Sequence, residues 1–136
     1  VTWKLGVYNT ESYGRERGFM SNPRGTAFLI CPVRGHGPSE TEGIVATLEE
    51  MGWDVHWPHR DTDQNDPAGL QICADNRLAI RNADRVFVVW NGESKGSLFD
   101  LGMAWAMYKP ITIISVPNLT DGKSFTKMMI GWEALG

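Results

Sequence analysis

Basic charge is scarce in this chain. Thirteen lysines and arginines face sixteen aspartates and glutamates, giving a formal net charge of -3 at pH 7. A protein that grips a nucleic-acid backbone displaces counterions with surplus cations. None are spare here, so no nucleic-acid polymer is expected as a partner. Cysteine is scarcer still. Cys31 and Cys73 lack CxxC spacing and fall in segments that read as buried, which suits a reduced, cytoplasmic protein without disulfides. No apolar run approaches the ~20 residues that span a bilayer, and no signal peptide is recognisable, so no membrane partner is expected. Internal repeats and low-complexity tracts are also absent.

What is present suits one soluble domain. The chain has 136 residues, 42% hydrophobic and 21% charged, enough to bury a proper core. Residues 1–25 read as an N-terminal edge strand (Thr2 to Tyr8) and a polar loop, 26–116 as the core, and 117–136 as a C-terminal helix. Thr26 to Cys31 is a short apolar run, the first central strand. Ser39 and Glu42 form a capping box for a helix to about Met51, and Trp53 to Trp57 is a half-buried strand. A loop (PHRDTDQNDP) leads to a helix over Ala68 to Ala83 and a second central strand over Arg85 to Trp90. Asn91 to Gly96 then turns into a helix stopped by Pro110, with Leu98, Leu101, Met103, Ala104, Trp105 and Met107 at mostly helical spacing. Ile111 to Val116 is the last clear strand. A final helix over Asp121 to Trp132 carries Phe125, Met128, Met129 and Trp132 on one side. Strands alternating with helices imply right-handed βαβ units. The fold class is therefore α/β, a flavodoxin-like or Rossmann-like three-layer sandwich with a mainly parallel sheet.

Chemistry is expected where strands end and helices begin, because open parallel sheets bind ligands at their carboxyl ends. Asp100 follows the second central strand by one loop and breaks the apolar stripe of its helix. Placed in the first turn, it would be held ionised by the helix N-terminus, and dipole complementation alone is the plainer account of it. Ser94, Gly96 and Ser97 in GESKGS suit a phosphate at a helix N-terminus, although the GxxxxGK[ST] spacing of a P-loop is absent. Arg34 and Gly35, in CPVRGHG after the first strand, suit phosphate capture by guanidinium and backbone N–H groups. A solvated loop arginine is the competing reading. Asp75 and Asn76 can reach the same crevice from the preceding helix, or form only a polar helix face. His56, His59, Asp61 and Asp63 lack the regular spacing of a metal site, so no metal is expected. No serine or cysteine has the context of a hydrolase nucleophile.

Together these residues resemble the nucleoside 2-deoxyribosyltransferase superfamily, over Thr26 to about Val116. The motif is a glycine, a three-residue gap and a carboxylate, then a small-residue helix and Lys-Pro: here Gly96, Asp100, LGMAWA and Lys109-Pro110. The resemblance implies that the carboxylate attacks the anomeric carbon of a sugar and displaces its base. It also implies a homodimer or larger oligomer, a small nucleotide or nucleoside as partner, and no metal or organic cofactor. Ser94, six residues before the carboxylate, is similar to the serine that makes room for a phosphate in the monophosphate N-glycosidase branch. CPVRGHG is similar to that branch's arginine loop. Two positions depart from the pattern. Asp100 stands where the family usually has glutamate, and Asn76 where it has a catalytic aspartate, with Asp75 turned ~100° away around the helix. The implied activity is cleavage of the base–sugar bond of a nucleoside 5′-monophosphate or nucleoside. The alternative is a non-catalytic nucleotide sensor or sequestering protein on the same fold.

Overall fold

A computed structural model describes residues 24–32 and 38–136, without the side chains of residues 38 and 39. The expected edge strand over Thr2 to Tyr8 and the loop up to residue 23 lie outside the described residues, as does the side chain of the capping Ser39.

The apolar runs become strands covered on both faces. β1 (Gly25–Ile30) and β3 (Arg85–Val89) each end in four consecutive buried residues, the mark of central parallel strands. β2 (Trp53–His56) shows Asp54 to solvent between buried neighbours, while β4 (Ile111–Ser115) is buried over its first four residues. All pairings are parallel, in the order β2-β1-β3-β4. The chain leaves β1 in one direction for β2 and returns past it to β3. That reversal leaves a crevice at the carboxyl ends of β1 and β3. At their other ends, Gly25 has φ 144°, and a Cβ there would lie 2.6 Å from Asp84 Oδ2. The same carboxylate accepts the Thr26 N–H at 2.9 Å, and the Asp84 N–H donates to the Thr26 carbonyl at 2.7 Å.

Helices cover both faces of the sheet. On one, α1 (Pro38–Glu50) buries Ile44, Val45 and Leu48 with Trp53, Val55, Trp57 and Phe87. The other face takes α3 (Leu70–Asn82), α4 (Lys95–Ala106) and α5 (Phe125–Ala134), which bury Ile80, Leu101, Ala104, Met129 and Trp132. The expected three-layer α/β sandwich with a parallel sheet is what the chain adopts.

Three details differ from the sequence reading. The segment after β2 is not wholly loop, because Pro58 opens a single turn, α2 (Pro58–Asp61), whose Asp61 reaches back to the Trp57 N–H at 2.9 Å. α3 begins at Leu70, because the Asp66 carboxylate accepts the N–H groups of Gln71 and Ile72 at 2.7 and 3.1 Å. Several apolar residues of the helices are exposed: Leu70, Leu78, Trp105, Phe125 and Met128 all show a third or more of their surface.

Candidate active site

The crevice between the ends of β1 and β3 holds a cleft of about 550 Å³, its walls including Cys31, Asn76, Ser94, Gly96, Ser97 and Asp100. The turn into α4 is built by side chains bonding to backbone. Asn91 Oδ1 accepts the N–H groups of Glu93 and Ser94, each at 2.8 Å. Ser94 Oγ then accepts the Ser97 N–H at 3.2 Å, so Ser94 is the N-cap and Ser97 lies in the first turn. Beneath this turn the Trp90 indole donates to the Ser94 carbonyl at 3.2 Å. A Cβ at Gly96 would meet nothing within 4 Å, so the helix backbone faces open cleft there. Ser97 is 3% exposed, and its buried hydroxyl has no hydrogen-bond partner among the described residues. A buried hydroxyl beside free helix N–H groups is prepared to meet a polar ligand atom.

Asp100 departs from expectation. It lies in the second turn of α4, beyond the N–H groups whose partial charge would hold it ionised. Burial pushes its carboxyl up from the ordinary 3.8 to about 7, and a hydrogen bond offered by Asn76 only partly opposes the shift. Desolvation is the larger of these two effects. The same burial drives the Cys31 thiol up to about 12. The Trp57 indole opposes this weakly, and the Asp100 charge adds to it, so Cys31 is an inert wall.

The adjacent residues Asp75 and Asn76 part company. Asn76 is 6% exposed, on the cleft wall facing Asp100, whereas Asp75 lies outside that wall and accepts the Gln71 side-chain amide at 2.8 Å. Sequence reasoning missed what stands behind Asn76. Thr62 Oγ1 donates to Asn76 Oδ1 at 2.8 Å, and His56 Nε2 lies 2.8 Å from the same hydroxyl. His56 stacks on Phe28 with centroids 5.4 Å apart, and His59 packs on Trp57. Asp61 holds Arg60 at 2.8 Å. Asp63 accepts the Asn65 N–H at 2.9 Å, so His56, Asp61 and Asp63 each spend a polar atom on a partner within the protein.

The family model for nucleoside 2-deoxyribosyltransferase matches residues 31–128, well over half of the chain. The chain belongs to this family. Among solved structures, the fold is shared with the CMP N-glycosidase BcmB of Clostridium botulinum, at a TM-score of 0.57 and 21% identity over 80% of each chain. No curated protein matches the sequence.

The residues that carry the resemblance do not all meet at the cleft. Gly96 opens the cleft and Asp100 stands on its wall. Lys109 does a separate job: its Nζ donates to the carbonyls of Arg81 and Ala83, at 2.8 and 2.7 Å, and so fastens the end of α3. Arg34 and Gly35 lie outside the described residues.

Proposed function

We propose that the protein is a nucleotide N-glycosidase that cleaves the base–sugar bond of a nucleoside 5′-monophosphate, with water or a second base as acceptor. The observation that carries this reading is Asp100 on the wall of one cleft with the Ser94–Ser97 turn. A carboxylate and an anion-binding helix start there share a space of nucleotide size. The family supplies the reaction class, and a fold shared with a CMP N-glycosidase makes monophosphates the first candidates. Arg34, Gly35, Ser94, Gly96 and Ser97 hold the phosphate. The Ser97 hydroxyl and the α4 N–H groups supply neutral donors, and Arg34 supplies charge.

Asp100 attacks the anomeric carbon, or stabilises the oxocarbenium ion as the base departs, and the acceptor completes the exchange. Asn76 fixes the carboxylate or a sugar hydroxyl by hydrogen bonding, since an amide takes up no proton here. Incubating the purified protein with a panel of nucleosides and their 5′-monophosphates, and measuring free base, tests the reading. Base released from a monophosphate is the expected result; no base from any compound overturns it. Arg34→Ala is expected to weaken monophosphate binding at least ~10-fold and to leave free nucleoside nearly unaffected, as loss of a charged hydrogen bond requires. Equal losses in calorimetry for both ligands would remove Arg34 from the site.

A further inference from the structure

We infer that His56 and Thr62, neither of which lines the cleft, are positioning residues that lock the Asn76 amide with its N–H side toward Asp100. The inference deepens the proposed function and rests on it for its kinetic part alone.

The direction of the chain follows from counting protons. An ionised Asp100 only accepts, so Asn76 must present Nδ2 to it, which leaves Oδ1 facing away. Thr62 Oγ1 meets that Oδ1 at 2.8 Å and spends its one proton there. His56 Nε2, 2.8 Å from the same hydroxyl, must then be the donor. Each link fixes the next, and every link sits on a rigid part. His56 ends β2 and stacks on Phe28 with rings inclined by 10°. Thr62 is 4% exposed and ends α2, its N–H bonded to the Pro58 carbonyl at 3.1 Å. Asn76 is on α3. Without Thr62 the amide is free to turn Oδ1 toward the carboxylate, where oxygen opposes oxygen. The chain orients and does not conduct, because an amide at its centre passes on no proton. Its outer end, His56, opens on a separate shallow hollow shared with Thr26, Asp54, Arg60 and Asp61.

The charged groups facing His56 are Asp61 and Arg60 from α2, Asp75 from α3 and Asp54 from its own strand. Asp100 faces Cys31, just past the end of β1, and Asn76 from α3, with Cys73, Glu93 and Lys95 elsewhere on the cleft wall. Burial holds His56 below its ordinary value, consistent with a neutral ring that donates through Nε2.

The test begins with the free protein. Nitrogen NMR of the His56 ring is expected to show the Nε2–H form, and carbon NMR of the Asp100 carboxyl gives its titration. Thr62→Val keeps the shape and removes the hydroxyl; it is expected to raise the Asp100 midpoint by ~1 pH unit and to release the tautomer preference of His56. Thr62→Ser is expected to restore both, which separates the hydroxyl from any effect on folding. His56→Gln, which retains a donor, is expected to leave the Asp100 midpoint within a few tenths of a unit. On nucleotide, Thr62→Val is expected to lower kcat roughly 10-fold, with KM little changed and the pH profile displaced upward with the midpoint. An unchanged Asp100 midpoint in Thr62→Val, or a wild-type His56 carrying its proton on Nδ1, overturns the inference. Failure to release base from any nucleotide overturns the proposed function instead, since the NMR outcomes need no substrate.

Discussion

A carboxyl with a pKa near 7 is a working carboxylate only when the solution is alkaline enough to ionise it. Base release is therefore expected to rise with pH through about 7 and to level off above, measured as kcat against pH. Asp100→Asn is expected to abolish base release while nucleotide affinity holds, because the contribution of Asp100 is made in the transition state. Release at the wild-type rate would remove Asp100 from the chemistry. Asp100→Glu restores the reach usual in the family and is expected to raise the rate. Stability moves with the same group. Its pKa is higher folded than unfolded, so its stabilising contribution is complete below about 3.8 and is lost as pH rises through about 7. Relative to Asp100→Asn, the wild type is expected to lose up to about 4 kcal/mol between pH 4 and 7, which melting curves across that range would show. Spacing in the sequence picked out Asp100, Ser94 and Ser97, but not the charge state of Asp100. Desolvation is set by what other elements bring to the cleft, and the distance from a helix start says nothing of that. The contacts of Thr62 with Asn76 and of His56 with Thr62 were illegible for the same reason: they form only after β2, α2 and α3 have packed.

Elements were the most legible level, because strand and helix periods are written into local sequence. All four described strands and the four longer helices match apolar runs or periodic stretches within a few residues. What periodicity missed was local capping. α2 arises from a proline and a reciprocal Asp61 bond, and the start of α3 is set by Asp66, four residues ahead of it. Exposed apolar residues such as Leu78 and Phe125 share the helical spacing of buried ones. Which of them meets a neighbour is decided by the sheet, not by the helix. Lys109 offers a direct probe at this scale. Lys109→Met removes two charge-assisted bonds to carbonyls at the end of α3 and is expected to cost about 1–3 kcal/mol, read as a lower Tm. An unchanged Tm would mean that the end of α3 is secured without it.

At the scale of the whole molecule, parallel strands gather the site at one end of the sheet, and a different surface remains apolar. Trp105, Tyr108 and Leu135 are all more than half exposed around a hollow of about 530 Å³, with Trp132 at its base edge-on to Trp105. Exposed aromatic area of this kind, with the family resemblance, supports the proposal of a homodimer or larger assembly. Light scattering at tens of micromolar is expected to give a mass at least twice the 15.2 kDa of one chain. A monomer would end the proposal.

The indole of Trp90 ties a chromophore to the ligand-facing turn. Its N–H holds the Ser94 carbonyl, and its ring meets Phe125 edge-on at 6.2 Å. A phosphate drawing on the N–H groups of that turn would shift the Ser94 peptide and so the polarity seen by the indole's excited state. Intrinsic emission then becomes a label-free optical signal of occupancy. Trp90→Phe would silence it, leaving the emission of the other five tryptophans as the background.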